Sequence, residues 1–132
     1  MAGRLLPDTN AFIALLKGDA GVAALLDGAS DVLLSAIVLG ELTYGALNSL
    51  HVEDNLERIA EIHGRCVFAP VDQGVVRQYG TIRIALKHKG QPIPENDLWI
   101  AATAIHSGAV LLTDDEHFDV VAGLTLKRIP RG

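Results

Sequence analysis

The stretch Arg4-Leu5-Leu6-Pro7-Asp8-Thr9-Asn10 decides the fold of this chain. Leu5 and Leu6 form a short apolar run, a polar turn follows at once, and residues 11–16 have the composition of an apolar helix. A strand that ends in a polar turn and leads into a helix is typical of the first unit of an α/β sheet. Ligands bind outside the carboxyl ends of such strands, so we expect Asp8 to lie at a binding crevice. The alternative is that Asp8 only caps the helix behind it.

Two later segments repeat this arrangement of an apolar run with a polar end. Val32-Leu33-Leu34 predicts a second strand, with Ser35 as the N-cap of the next helix. Ala109-Val110-Leu111-Leu112 predicts another strand, and Thr113-Asp114-Asp115 follows it directly. Short strands are also predicted at residues 67–69 and 125–129, the last of them at a sheet edge, and further helices at residues 21–26, 52–62, 73–88 and 98–106.

Two acids lie within or beside predicted helices. Asp97 follows a loop of residues 90–96 and begins a helix that is nearly all apolar, so we expect this helix to be buried and its start to face a crevice. The alternative is that the helix macrodipole alone favours an acid there. Glu41 has only apolar or small neighbours three and four residues away. A carboxylate on such a face is costly unless it is paired, bound to metal or reaches solvent.

Length and composition limit the class of protein. The 132 residues are enough for one core, and we expect a single domain over residues 1–132. With 49% apolar residues, part of the surface is expected to be covered by another chain. No membrane span or signal peptide is expected, because no apolar run is long enough and Asp8 comes early. The single cysteine, Cys66, excludes an internal disulfide and fits the cytoplasm.

The charge balance restricts the partners. There are 11 Lys and Arg residues against 16 Asp and Glu residues, a net charge of −5. Phosphate contacts use Lys and Arg, so the composition alone argues against nucleic-acid binding. Bound divalent cations reverse the local field of an acidic site. A nucleic-acid hypothesis for this chain is therefore also a metal hypothesis.

Four acids occupy positions from which they can meet at one site, namely Asp8, Glu41, Asp97 and Asp115. Like charges at close range cannot all stay ionised unaided, so some of their pKa values would rise without a cation. Mg²⁺ takes oxygen ligands and is typically completed by waters and substrate phosphates, and Mn²⁺ is chemically close. Such a site activates water for phosphodiester hydrolysis with no covalent intermediate. His117 is a candidate support, although a packed or solvated histidine is the commoner explanation.

Two other functions are open. A Mg²⁺-dependent phosphatase with an aspartyl nucleophile would need Asp-X-Asp after its first strand, and Asp8-Thr9-Asn10 lacks the second acid. A non-catalytic interaction module that kept the fold would be expected to have lost one of the four acids. The complete set of acids argues against that alternative.

Four motifs follow one another over essentially the whole chain: Leu6-Pro7-Asp8-Thr9-Asn10, Gly40-Glu41-Leu42, Pro94-Glu95-Asn96-Asp97-Leu98-Trp99-Ile100-Ala101-Ala102 and Leu112-Thr113-Asp114-Asp115-Glu116-His117-Phe118. In their order and spacing, these motifs together resemble those of the PIN-domain ribonucleases. Within that family the chain is most similar to the VapC toxins of bacterial and archaeal toxin–antitoxin pairs. The resemblance implies a mostly parallel five-stranded sheet flanked by helices and Mg²⁺- or Mn²⁺-dependent endoribonuclease activity. It also implies a homodimer, a cognate VapB-type antitoxin across the active-site groove, and larger toxin–antitoxin assemblies.

The resemblance also assigns roles to residues. Asp8, Glu41, Asp97 and Asp115 match the family's acidic quartet, and Thr9 or Asn10, together with Thr113, match supporting positions. Two departures matter. Pro7 stands where the family commonly has an apolar residue other than proline, and it removes one backbone donor at the strand end. The last motif offers adjacent acids, and the match favours Asp115 over Asp114, whose side chain should point elsewhere.

Overall fold

The computed structural model describes residues 3–130 and alternates strands with helices along the chain. The strands are β1 (Arg4–Pro7), β2 (Asp31–Ser35), β3 (Val67–Ala69), β4 (Val110–Thr113) and β5 (Leu126–Arg128). The helices are α1 (Thr9–Leu16), α2 (Ala20–Asp27), α3 (Ala36–Leu47), α4 (Val52–Arg65), α5 (Gln73–Lys89) and α6 (Glu95–Ser107), with a short 3₁₀ helix (Glu116–Val120) before β5. Residues 1–2 and 131–132, which the predicted domain includes, lie outside the described residues.

The five strands form one sheet in the order β3-β2-β1-β4-β5, and every described pair is parallel. This confirms the α/β class with a five-stranded sheet, and β5 lies at an edge as predicted. A parallel sheet has helices on both faces, and Leu6, Leu34 and Leu111 at its centre are accordingly fully buried. The order of strands reverses between β1 and β4. Crevices for ligands form at such reversals, outside the carboxyl ends of the strands.

The helix starts confirm the predicted N-cap at Ser35 and correct the predicted start of α6. The Ser35 hydroxyl accepts a hydrogen bond from the Val38 backbone N–H, as expected of an N-cap. However, α6 begins at Glu95, so the predicted loop 90–96 is too long by two residues. The Pro94 carbonyl accepts the first helical hydrogen bond, from the Leu98 N–H at 3.2 Å, so Pro94 is the N-cap residue. Asp97 therefore lies inside the first turn.

The packing of α5 against α6 fixes this first turn. Tyr79 of α5 stacks on Trp99 of α6 with ring centroids 3.8 Å apart, and the Tyr79 hydroxyl donates a hydrogen bond to Glu95. Behind this contact, the residues of α6 from Ile100 to Ala104 are buried in the core, which confirms the expected burial of this helix. The start of α6 is thus held in place on the side where the acids lie.

Within residues 3–130 no single helix is long and apolar enough to cross a membrane. The pair α1 and α2 together passes a test of length and composition, but the two helices are bent by 113° relative to each other.

Candidate metal centre

Asp8 lies at the carboxyl end of β1 and is 5% exposed. Its backbone N–H donates to the Leu112 carbonyl oxygen at 2.8 Å, which fixes the end of β1 against β4. Its carboxylate uses both oxygens. Oδ1 accepts a hydrogen bond from the Thr9 N–H at 2.7 Å, and Oδ2 accepts one from the Thr113 hydroxyl at 2.9 Å. Asp8 therefore caps α1 and also lies in the crevice, so the two interpretations of this residue hold together.

Thr113 connects two of the acids. It is the last residue of β4 and is fully buried. While its hydroxyl donates to Asp8, the same oxygen accepts a hydrogen bond from the Asp115 N–H at 3.0 Å. Asp115 Oδ1 then accepts from the His117 N–H at 2.9 Å and caps the 3₁₀ helix. A continuous set of hydrogen bonds therefore runs from the end of β1 to the start of this helix.

Asp97, Asp115 and His117 form a compact group of possible metal ligands. His117 Nδ1 lies 3.1 Å from Asp97 Oδ2 and 3.1 Å from Asp115 Oδ1. One ligand atom from each of the three residues lies within 4.8 Å of the others. The His117 side chain is more than half exposed and also contacts two of the acids, so it is placed to support this group. The sequence signal was its spacing of two residues after an acid that caps a turn, which brings the imidazole back toward that acid.

Glu41 is held from two sides. Its Oε1 accepts a hydrogen bond from the Thr9 hydroxyl at 2.6 Å, and its Oε2 accepts one from Asn96 Nδ2 at 3.3 Å. Sequence reasoning missed Asn96, because the residue was assigned to a loop. Of the two supporting candidates in the first motif, Thr9 contacts an acid. The Asn10 side chain is exposed and makes no hydrogen bond to the acids among the described residues.

The electrostatics of the acids couple them to one another. Burial raises the pKa of Asp8 from 3.8 to about 6, against hydrogen bonds from Thr113 and Thr9 that lower it, and the charges of Asp97 and Glu41 raise it further. Burial also raises the pKa of Asp97, as do the charges of Asp115 and Glu41, while the hydrogen bond from His117 lowers it. The structure therefore brings Asp8, Glu41, Asp97 and Asp115 to one crevice, where they disfavour one another's charge.

The donor set fits a hard divalent cation. Carboxylate oxygens are the ligands that Mg²⁺ and Mn²⁺ prefer, and several of them converge here from four different elements. The raised pKa values of Asp8 and Asp97 also indicate a cation site, because a positive charge in the crevice would stabilise the ionised carboxylates. Asp115, which the sequence favoured over Asp114, lies against Asp97 and His117.

A family model, curated relatives and solved structures all match this chain over most of its length. The family model described as PIN domain matches residues 5–124. The chain is 30% identical to Ribonuclease VapC5 of Mycobacterium tuberculosis over 94% of this chain and 92% of that protein. It is 33% identical to Ribonuclease VapC1 of Haemophilus influenzae over 80% and 82% of the two chains. It is also similar to a DNA-bound VapBC structure from Salmonella typhimurium, with a TM-score of 0.89, 29% identity and coverage of 98% of this chain and 100% of the other.

Proposed function

The chain belongs to the PIN domain family, and we propose that it is a metal-dependent endoribonuclease of the VapC type and the toxin of a toxin–antitoxin pair. The observation that carries the proposal is the meeting of Asp8, Glu41, Asp97 and Asp115 at the carboxyl ends of β1 and β4. Relatives named as VapC ribonucleases, matched over most of their length, support RNA as the substrate.

In this proposal the four carboxylates hold Mg²⁺ or Mn²⁺. The cation would supply positive charge that favours deprotonation of an attacking water and stabilises the charge that develops on the phosphate. Around it, the protein's own residues orient the ligands. Thr113 fixes one oxygen of Asp8, while Thr9 and Asn96 fix both oxygens of Glu41. Because these donors are already in place, the acids need little reorganisation when substrate binds.

The buried position of Asp8 has a second role in this mechanism. With a pKa of about 6, its carboxyl group holds a proton in mildly acidic solution and loses it near neutrality. Near neutrality Asp8 therefore adds to the negative charge that a divalent cation needs. An acidic protein with a net charge of −5 can therefore act on RNA.

The proposed partners follow from the same family membership. A VapB-type antitoxin would cover the active-site groove, and two copies of the chain would form a homodimer, within larger toxin–antitoxin assemblies. We propose that the protein acts in the cytoplasm, where it would meet RNA and a VapB-type antitoxin. The single domain would comprise residues 1–132.

The direct test is RNA cleavage by purified full-length protein freed of its antitoxin, with Mg²⁺ or Mn²⁺ and with EDTA. Asp97→Asn keeps the shape of the side chain and removes its charge, so cleavage should fall to background. Asp54→Asn, on the exposed first turn of α4, is the matched control and should cleave like the parent protein. If Asp97→Asn cleaves RNA as fast as the parent, or if EDTA has no effect, the proposed function is wrong.

A further inference from the structure

His117 is held beside the acids by more than its side chain. Its backbone N–H donates to Asp115 Oδ1 at 2.9 Å. The next residue, Phe118, is fully buried and anchors the 3₁₀ helix in the core. These contacts fix the main chain of His117 at the place from which its imidazole reaches the two acids.

The distances around Nδ1 are those of neighbouring ligands on one cation. Nδ1 is equally far, 3.1 Å, from an oxygen of Asp97 and an oxygen of Asp115. Octahedral coordination with bonds near 2.1 Å places adjacent ligand atoms about 3 Å apart. A single proton on Nδ1 would have to be shared between two carboxylates, whereas one cation would contact all three atoms.

The position is also open on one side. The side chain of His117 is 54% exposed, compared with 15% for Asp97 and 29% for Asp115. A cation there has a route of entry from solvent, and waters or substrate oxygens can complete its coordination. Of the remaining acids, Asp8 is 5% exposed, and Glu41 accepts a hydrogen bond from the Thr9 hydroxyl.

We propose that His117 Nδ1 is a ligand, together with Asp97 and Asp115, of the divalent cation at this centre, and that this nitrogen makes the position favour Mn²⁺ over Mg²⁺. Mg²⁺ is a hard cation that demands oxygen ligands. Imidazole nitrogen raises the affinity for transition-metal cations instead, and Mn²⁺ is the one that still tolerates a set rich in carboxylates. This assignment rests on the proposed function, since it adds a ligand to the same centre.

The test is metal binding by the full chain, read independently of cleavage. Mn²⁺ is titrated into the protein, and free Mn²⁺ is measured by electron paramagnetic resonance. Mg²⁺ is then titrated in competition with Mn²⁺. Pulsed electron paramagnetic resonance spectra detect nitrogen that is bound directly to Mn²⁺. We expect a directly bound nitrogen in the unaltered protein and its loss in His117→Gln. In that variant the Mn²⁺ affinity should fall at least about tenfold, and the Mg²⁺ affinity by less. His88→Gln, on the exposed face of α5, is the matched control and should behave like the parent.

Three results would test the assignment of His117 as a ligand and distinguish it from the proposed ribonuclease function. Bound Mn²⁺ without nitrogen coupling in the unaltered protein would overturn the assignment of His117, and this measurement stands even if the variant fails to fold. An unchanged ratio of Mn²⁺ to Mg²⁺ affinity in folded His117→Gln would also overturn it. If nitrogen coupling is found but no RNA is cut at saturating Mn²⁺, the ligand assignment holds and the proposed function fails.

Discussion

The Thr113 hydroxyl donates a 2.9 Å hydrogen bond to Asp8 Oδ2, and so joins the ends of two strands that are 105 residues apart in the chain. Both residues are buried. The same hydroxyl accepts from the Asp115 backbone, so one side chain orients two of the acids at once. This relationship makes Thr113 the residue whose loss should disturb the centre most without removing a carboxylate.

Thr113→Val keeps the volume and removes the hydroxyl. It leaves a buried carboxylate oxygen and the Asp115 N–H without their partner, so the free energy of unfolding should fall by about 1–3 kcal/mol. The hydrogen bond from Thr113 lowers the pKa of Asp8, so this pKa should rise further when the hydroxyl is removed. Urea denaturation and the pH dependence of cleavage measure both effects. Thr113→Ser restores the hydroxyl and should recover most of the loss, whereas equal behaviour of the valine and serine variants would contradict this role.

The stability of the metal-free protein should decrease with rising pH because of Asp8. Between its ordinary pKa of 3.8 and its folded pKa of about 6, the folded state binds the proton that the unfolded state has lost. The stabilisation is therefore complete below pH 4 and is lost as the pH rises through 6, by about 3 kcal/mol. Asp97, whose pKa is also raised, contributes in the same direction.

Asp8→Asn isolates this effect from the other acids. The amide does not titrate, so the difference in free energy of unfolding between variant and parent should shift by about 2–3 kcal/mol in favour of the variant from pH 4 to pH 8. Any constant offset from altered hydrogen bonds cancels in this comparison. Chemical denaturation in EDTA at a series of pH values measures it, and a difference that does not vary with pH would refute the raised pKa.

Added Mg²⁺ or Mn²⁺ should raise the melting temperature, since the cation binds the folded site and not the unfolded chain. The increase should be larger at pH 7.5 than at pH 5.5, because protons compete with the cation for Asp8 at the lower value. Glu41→Ala removes one carboxylate and should reduce the increase strongly. Thermal denaturation at matched ionic strength measures this, and an equal increase in the alanine variant would exclude Glu41 as a ligand.

The two supports of Glu41 should differ in importance. Thr9 donates over 2.6 Å and is partly buried, whereas Asn96 donates over 3.3 Å and is exposed. We therefore expect Thr9→Val to slow cleavage more than Asn96→Ala, with little change in stability for the latter. Single-turnover rates on one RNA substrate give the comparison. Asn10→Ala, at an exposed neighbour of Thr9, should cleave like the parent.

Sequence reasoning reached the fold and the acids because both depend on local patterns. The apolar runs at Leu5, Leu33 and Leu111 predict strands directly, and acids at strand ends can be read without coordinates. The contact of Asn96 with Glu41 and that of His117 with Asp97 were not predicted, for a different reason. Their roles depend on the exact turn in which helix α6 starts and on a 3₁₀ helix that no periodicity reveals. Contacts between polar residues in short turns can be identified only from the three-dimensional structure.

The reversal of strand order between β1 and β4 has a consequence for synthesis of the protein. Asp8 and Glu41 leave the ribosome early, but their partners at the crevice lie in α6 and just beyond β4. Nascent chains that stop before Val110 contain three of the four acids, but they lack Asp115 and the strand β4 that pairs with β1. The four acids can therefore meet only after the last third of the chain has been synthesised and β4 has paired with β1.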